Sequence, residues 1–439
     1  MQPPSLMAST ASLLQPIFEQ PPFQAVRAKC VSTERSEVFL AGLTRPAKAV
    51  VLAGLAHELA KPLVVITADP DALRESTATF LEWLEPGSGP SVSVLPFFDV
   101  SPYEMRSPHA EIAERRAIAL WRMAQRRARI VLAAAPAACG RFREHPYYRS
   151  LALELKTGDE INLGDLAEHL AGVGYEAQEP VDSVGFFSVR GGIVDVYPPE
   201  AEWPVRIEFH GDQIESLRQF DPGTQRSRRA VGSAFLLPLS ENRRTSRFFP
   251  ALVQVLAKRS GRTFDASRPP EWAAEKSAAF PGWEFFAPLA EPHPSTLFDL
   301  LDRPVVVWDE VGDCNRQIEE LRDSWAMAFE EVRDVVPPFP LPGDLLLDQD
   351  ELRVAIEPLT RIDLAELDIE SAPKGRETEG SFIFRAQPTP KFHGGVKNWI
   401  EDLRARRERA ERVVISLSSV GKIERLSETL KEYEIPFTM

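Results

Sequence analysis

Apolar residues recur at helical spacing over Ala47–Leu59, and a short continuous apolar run follows at Pro62–Thr67. Asp69-Pro70-Asp71 then breaks the pattern before a second helical stretch, Ala72–Leu84, and a second strand-like run, Ser91–Leu95. Beyond the loop Pro96–Glu104 come a helical stretch from Ala110 to Arg127 and the apolar run Ile130–Ala133. Strands alternating with helices predict an open parallel α/β sheet.

From Leu151 the texture changes. A helical stretch Leu163–Ala171 stops at Gly172, and four runs rich in β-branched and aromatic residues follow: Phe186–Arg190, Ile193–Tyr197, Val205–His210 and Gln213–Phe220. Gly-Gly, Pro-Pro and Gly-Asp turn signals separate them, which predicts an antiparallel meander in a small α+β domain. After Leu237-Pro238 the chain is helical again, and the buried-strand pattern Pro304–Val307 ends in Asp309 and Glu310. That run has the texture of the first unit, so the small domain reads as an insertion and the parallel sheet resumes after residue 236.

A last segment reads as helix Val396–Ala410, strand Val413–Leu417 and helix Ile423–Tyr433. One strand with two helices cannot bury its own faces, so we expect a truncated α/β domain and a longer native polypeptide. The expected organisation is 1–145 and 236–386 as the two parts of the α/β domain, 146–235 as the insertion, and 387–439 as the start of the further domain.

Composition adds five constraints. At 439 residues, two to four cores are expected. The 51 basic and 65 acidic residues give a charge of −14, which lacks the global field of a non-specific duplex binder. Cys30, Cys139 and Cys314 are far apart, and the seven histidines form no HxxxH or HxH pair, so we expect no disulfide framework, no metal and a reducing, cytoplasmic setting. The amino terminus lacks the pattern of a secretory leader, and the chain has no long apolar run, which disfavours secretion and membrane spanning. Proline is abundant, 38 residues, and is concentrated at 269–295, 337–347 and 374–391, which read as joints between the pieces.

Two constellations carry candidate chemistry. Gly42-Leu43-Thr44-Arg45-Pro46-Ala47-Lys48-Ala49 overlies the phosphate-loop pattern GxxxxGK[ST], with Gly42 and Lys48 in place. Pro46 has no amide hydrogen, Ala47 stands where glycine is required, and Ala49 cannot hold magnesium, so no nucleotide cofactor is expected. Asp309 and Glu310 at a strand's carboxyl end are the other half of such a site; without a competent phosphate loop they read first as acids at an exposed helix amino terminus. The window therefore reads as a degenerate nucleotide site, and no nucleophile motif for a hydrolase is visible.

The second constellation is SVRGGIVDVYP followed by VRIEFHGD. Alternation turns Val205, Ile207 and Phe209 to the core and Arg206, Glu208 and His210 outward, where Arg190 can join them. This is either a solvated polar face or a partner site, arginine on a rigid sheet being typical of interface anchors. The arginines of the helix Glu111–Arg129 and of the tail helix, interleaved with acids and alanine, read as solvated faces rather than DNA tracks.

The run FFSVRGGIVDVYPPEAEWPVRIEFHGDQIESLRQFDPGTQRS, with SPYEMRSPHAEIAERRAIAL, LKTGDEINLGDLAEHLAGVGYE and LLPLSENRR around it, resembles the bacterial transcription-repair coupling factors, whose amino-terminal region is similar to the excision-repair protein UvrB. The resemblance covers about residues 40–439 and is densest from 95 to 240. It implies an inactive, degenerate RecA/helicase-like sheet domain carrying an inserted UvrA-binding domain. It also implies that the RNA-polymerase-interaction domain and the ATP-driven DNA translocase lie beyond Met439. Position by position, the family's UvrA-contacting arginines fall on Arg190 and Arg206, and the accompanying aromatic, usually phenylalanine, falls on His210. The implied function is recruitment of UvrA to a lesion-stalled polymerase, through a face that other domains mask at rest. UvrB itself is the alternative, but its intact phosphate loop and tyrosine-rich hairpin have no counterpart at Gly42–Ala49 or between Tyr103 and His109.

Overall fold

Continuous apolar runs bounded by turn residues become strands buried on both faces. In the computed structural model, which describes residues 7–32, 35–87, 89, 91–245, 247–260, 280–334, 339–366, 380–415, 417 and 419–438, this holds at β1 (Glu37–Ala41), β2 (Leu63–Thr67), β3 (Val92–Leu95) and β4 (Ile130–Ala134). The middle of the chain supplies β5 (Leu153–Lys156), β6 (Glu176–Ala177), β7 (Phe186–Arg190), β8 (Ile193–Val196), β9 (Val205–His210), β10 (Gln213–Phe220), β11 (Ser227–Ala230) and β12 (Ser233–Leu236). The last strands are β13 (Val305–Asp309), β14 (Arg361–Leu364) and β15 (Ser381–Ile383).

Seven strands form one parallel sheet in the order β15-β1-β14-β13-β2-β4-β3. Every residue of β2 and β13 is buried, as a parallel sheet covered on both sides requires. The sheet thus resumes after the middle segment, and the expected α/β class holds. On one side lies the helix Arg45–Glu58, whose proline sits in the first turn, where its missing N–H costs no hydrogen bond. Beneath it pack two amino-terminal helices, Met7–Phe18 and Pro21–Val31, which the hydrophobic pattern did not single out; Phe18, Phe23, Val26 and Cys30 join the core there. All three cysteines are free and buried.

A second sheet runs β11-β10-β9-β8-β7-β6, antiparallel except for the β6–β7 pair. The four meander strands lie within a residue of their predicted bounds. Val194, Val196, Val205, Ile207, Ile214 and Leu217 turn to a core shared with Leu166 and Leu170 of the helix Leu163–Gly172. Phe209, expected in that core, is only half-buried and packs on its rim.

Several expectations need correction. Arg116 and Arg122 do not lie on a solvated face: they are 3% and 8% exposed. Arg116 grips Glu241 with Nε at 3.0 Å and Nη2 at 3.1 Å, and Arg122 pairs with Glu200. Helical periodicity shows which face is polar but not that a neighbouring segment with acids covers it. The proline-rich joints also hold structure, because they carry aromatic side chains between the prolines. Trp283, Phe285 and Phe286 are core residues, Phe339 and Leu347 are buried, and β15 pairs with β1. The parts of these joints at 269–279, 337–338 and 374–379 lie outside the described residues.

The strand expected at Val413–Leu417 is not formed over 411–415, and residue 416 lies outside the described residues. Val413, Val414 and Ile415 are exposed and have no ladder partner among the described residues. Apolar β-branched residues form a strand only where another strand supplies the hydrogen bonds. The flanking helices, Val396–Glu408 and Val420–Glu432, pack on each other through Ile400, Leu403 and Leu430.

Candidate functional site

The loop joining β1 to the helix Arg45–Glu58 and the carboxyl end of β13 lie one strand apart, because β14 runs between β1 and β13. This brings Lys48 to Asp309 and Glu310. The ammonium is 2.6 Å from Asp309 Oδ1 and 2.5 Å from Glu310 Oε1. Thr67 at the end of β2, which the sequence reading missed, donates to Asp309 Oδ2 at 2.8 Å. Lys48 and Asp309 are buried, so Asp309 does not sit on an exposed helix end. Burial alone would lower the Lys48 pKa, but Asp309 and Glu310 outweigh it and hold the ammonium above the ordinary lysine value of 10.5.

Gly42 adopts φ +76° with its Cα against Phe384, whose carbonyl oxygen stands 1.8 Å from where a β-carbon would be. The chain leaving β15 closes over the loop: Phe384 N–H donates to Ala41 O at 2.8 Å and Ala386 N–H to Gly42 O at 3.0 Å. Leu43 N–H, one of the amides a phosphate would need, faces Ala365 O at 3.4 Å. In this arrangement the cation and the loop backbone are engaged by the chain itself.

On the second sheet, β7 and β9 are not adjacent; β8 lies between them and contributes Asp195. Asp195 is opposite Ser188 on β7 and opposite Arg206 on β9. Arg206 clasps it with Nε on Oδ1 at 2.7 Å and Nη2 on Oδ2 at 2.8 Å, and Arg190 reaches the same Oδ2 from β7. Arg206 also lies 4.9 Å above the Phe220 ring, and its hydrogen bonds to Asp195 raise its pKa. Arg190 is more open, its Nη1 meeting the exposed Glu179 at 3.3 Å.

The structure therefore brings Arg190 and Arg206 together, through a residue that sequence reasoning did not select. The signal was present: in the apolar run IVDV, strand alternation puts the one acid on the same face as Arg206. His210 is exposed on the same strand, four residues or roughly 13 Å from Arg206, at the hairpin end where it pairs in register with Gln213. Between them Glu208 accepts from Ser216 Oγ at 2.5 Å.

The sequence model of the UvrB interaction domain matches residues 153–241, the stretch that contains this face. The transcription-repair-coupling factor of Escherichia coli is 28% identical over 410 residues, which is 90% of this chain and 34% of that protein. Over the matched stretches the chain is similar to the transcription-repair-coupling factors. The coupling factor of Myxococcus xanthus is 36% identical over 205 residues, 46% of this chain and 17% of its own length. The UvrABC system protein B of Thermosipho africanus is similar at a lower level, 25% over 218 residues, 46% of this chain and 32% of that one. The matched stretch is thus about a third of the length of the Escherichia coli coupling factor and 17% of that of the Myxococcus xanthus one. Among the described residues no helix is long and apolar enough to cross a membrane, and no His, Cys, Asp and Glu side chains are grouped to hold a metal ion.

Proposed function

We propose that this chain is the UvrA-recruiting module of a transcription-repair-coupling factor and that its own sheet domain does not hydrolyse nucleotide. The observation that carries the first half is the pair Arg190 and Arg206, fixed side by side on a rigid sheet inside the stretch matching the UvrB interaction domain. Two guanidiniums held on one face suit carboxylates on a partner. In the complete protein, a motor elsewhere in the polypeptide displaces the stalled polymerase, and this face passes the lesion to UvrA.

The Arg190→Ala/Arg206→Ala variant is expected to weaken UvrA binding by about 2 kcal/mol or more, about thirtyfold. Calorimetric titration of purified UvrA reads this directly, and unchanged affinity would remove the assignment. Supporting the second half, Lys48 is held by two acids of the chain itself, and Pro46, Ala47 and Ala49 lack what phosphate and magnesium need. Equilibrium dialysis with labelled ATP and magnesium is expected to show no saturable binding at millimolar nucleotide. Saturable binding would instead favour a working helicase subunit of the UvrB kind.

A further inference from the structure

We infer that Asp195 is the positioning residue of the arginine face and that Glu179 is an internal competitor for the same partner carboxylate. The inference rests on the UvrA reading above and adds what organises and regulates that face.

Two like charges do not converge unaided. Arg190 and Arg206 meet because a carboxylate whose side chain is 1% exposed accepts from both, with Oδ2 shared between them. Arg206 gives its Nε and Nη2 edge to that carboxylate and its face to Phe220, so its orientation is set from within. Only its Nη1 remains, and that faces Gln225 O at a slack 3.5 Å. Arg190 likewise gives one nitrogen to Asp195 and turns the other, Nη1, outward to Glu179. Arg190 therefore keeps the more open edge, its side chain 42% exposed against 15% for Arg206, and an acidic side chain of the partner is the group that can accept from it.

Glu179 now stands on that edge. Its pair with Arg190 is open to water on both sides, 42% and 58% exposed, and such pairs are weak and exchangeable. The Asp195 contacts are buried and are not exchanged without leaving charges unpaired. The two acids should thus act in opposite directions although they carry the same charge. Removing either one makes the face more positive, and charge steering alone would tighten an acidic partner in both cases. Positioning by Asp195 and competition by Glu179 predict different signs.

The test is UvrA titration of the full 439-residue chain in four variants, with the unfolding midpoint of each recorded. Glu179→Gln is expected to tighten binding about threefold by freeing the Arg190 edge, and Asp195→Asn to weaken it about tenfold or more. Arg206→Lys, which keeps the charge and leaves Asp195 paired but cannot hold it bidentately, is expected to weaken binding comparably even if Asp195→Asn fails to fold. Arg190→Ala/Arg206→Ala serves as the reference. If it loses binding while a folded Asp195→Asn or Arg206→Lys does not, the positioning inference falls and the UvrA reading stands. If Glu179→Gln leaves affinity unchanged or weakens it, the competitor half falls. If the double arginine variant binds normally, the UvrA reading itself falls.

Discussion

Lys48→Met is expected to destabilise the protein by about 3–5 kcal/mol, the usual cost of removing one partner from a buried ion pair. Methionine fills most of the space but leaves Asp309 and Glu310 facing each other without the ammonium that lies 2.6 and 2.5 Å from them. The pH dependence has a definite sign. Because the folded pKa of Lys48 is raised above 10.5, its contribution is fully present below that value and is lost as pH climbs through the raised folded pKa. Urea unfolding of the two proteins should therefore differ by a constant amount around neutral pH, and the gap should narrow only above pH 10.5. A loss below about 1 kcal/mol at neutral pH would mean that the acids stay hydrated and the pair is not buried in solution.

That pair was only partly legible beforehand. Lys48 could be picked out from its spacing after Gly42 in the phosphate-loop window, and Asp309 and Glu310 from their place at the end of an apolar run. The strand order that brings residues 48 and 309 together is non-local, and no periodicity encodes it. Thr67 was invisible for the same reason: only once β2 lies beside β13 does its hydroxyl find Asp309.

Elements with strong patterns were read well and those held by their neighbours were not. The meander strands carry alternation over four to eight residues and appear where expected. β14 is the four-residue run RIDL, half polar, and becomes a central strand because β1 and β13 flank it. There Arg361 donates to Asp363 at 2.6 Å, which neutralises both groups locally. β15 is three residues set in a proline-rich stretch and exists as a strand through its pairing with β1. The converse is Val413–Ile415, which has the composition of a strand but no neighbouring strand among the described residues. Propensity for a strand is largely a statement about fit to an adjacent one.

The arginine face shows the same division. Alternation identified which residues of β9 point away from the core, and Arg206, Glu208 and His210 do lie on that side. It did not by itself single out Asp195 on the intervening β8, whose buried carboxylate engages the guanidinium edge expected to be free for a partner. The partner is consequently offered chiefly the more open edge of Arg190, a narrower and more directional target than two open forks.

Gly42→Ala is the second substitution with a large expected effect, and Gly87 supplies its control. Both glycines have nearly the same backbone, φ +76° and +75°, so the left-handed strain of an alanine, about 1–2 kcal/mol, is common to both. At Gly87 a β-carbon meets nothing within 4 Å, whereas at Gly42 it lands 1.8 Å from the Phe384 carbonyl oxygen, a backbone atom that cannot rotate away. Making room requires the chain after β15 to lift, which breaks the hydrogen bonds from Phe384 to Ala41 and from Ala386 to Gly42 and uncovers the buried Phe384 ring. Adding two hydrogen bonds at about 1 kcal/mol each to the strain gives a loss of about 3–4 kcal/mol for Gly42→Ala. Urea unfolding measures the difference between the two variants, and hydrogen exchange locates it: the Phe384 and Ala386 amides should lose protection in Gly42→Ala and keep it in Gly87→Ala. Equal losses in both variants would mean that this strand end does not lie over the loop in solution, and the proposal that the loop is closed to phosphate by its own chain would go with it.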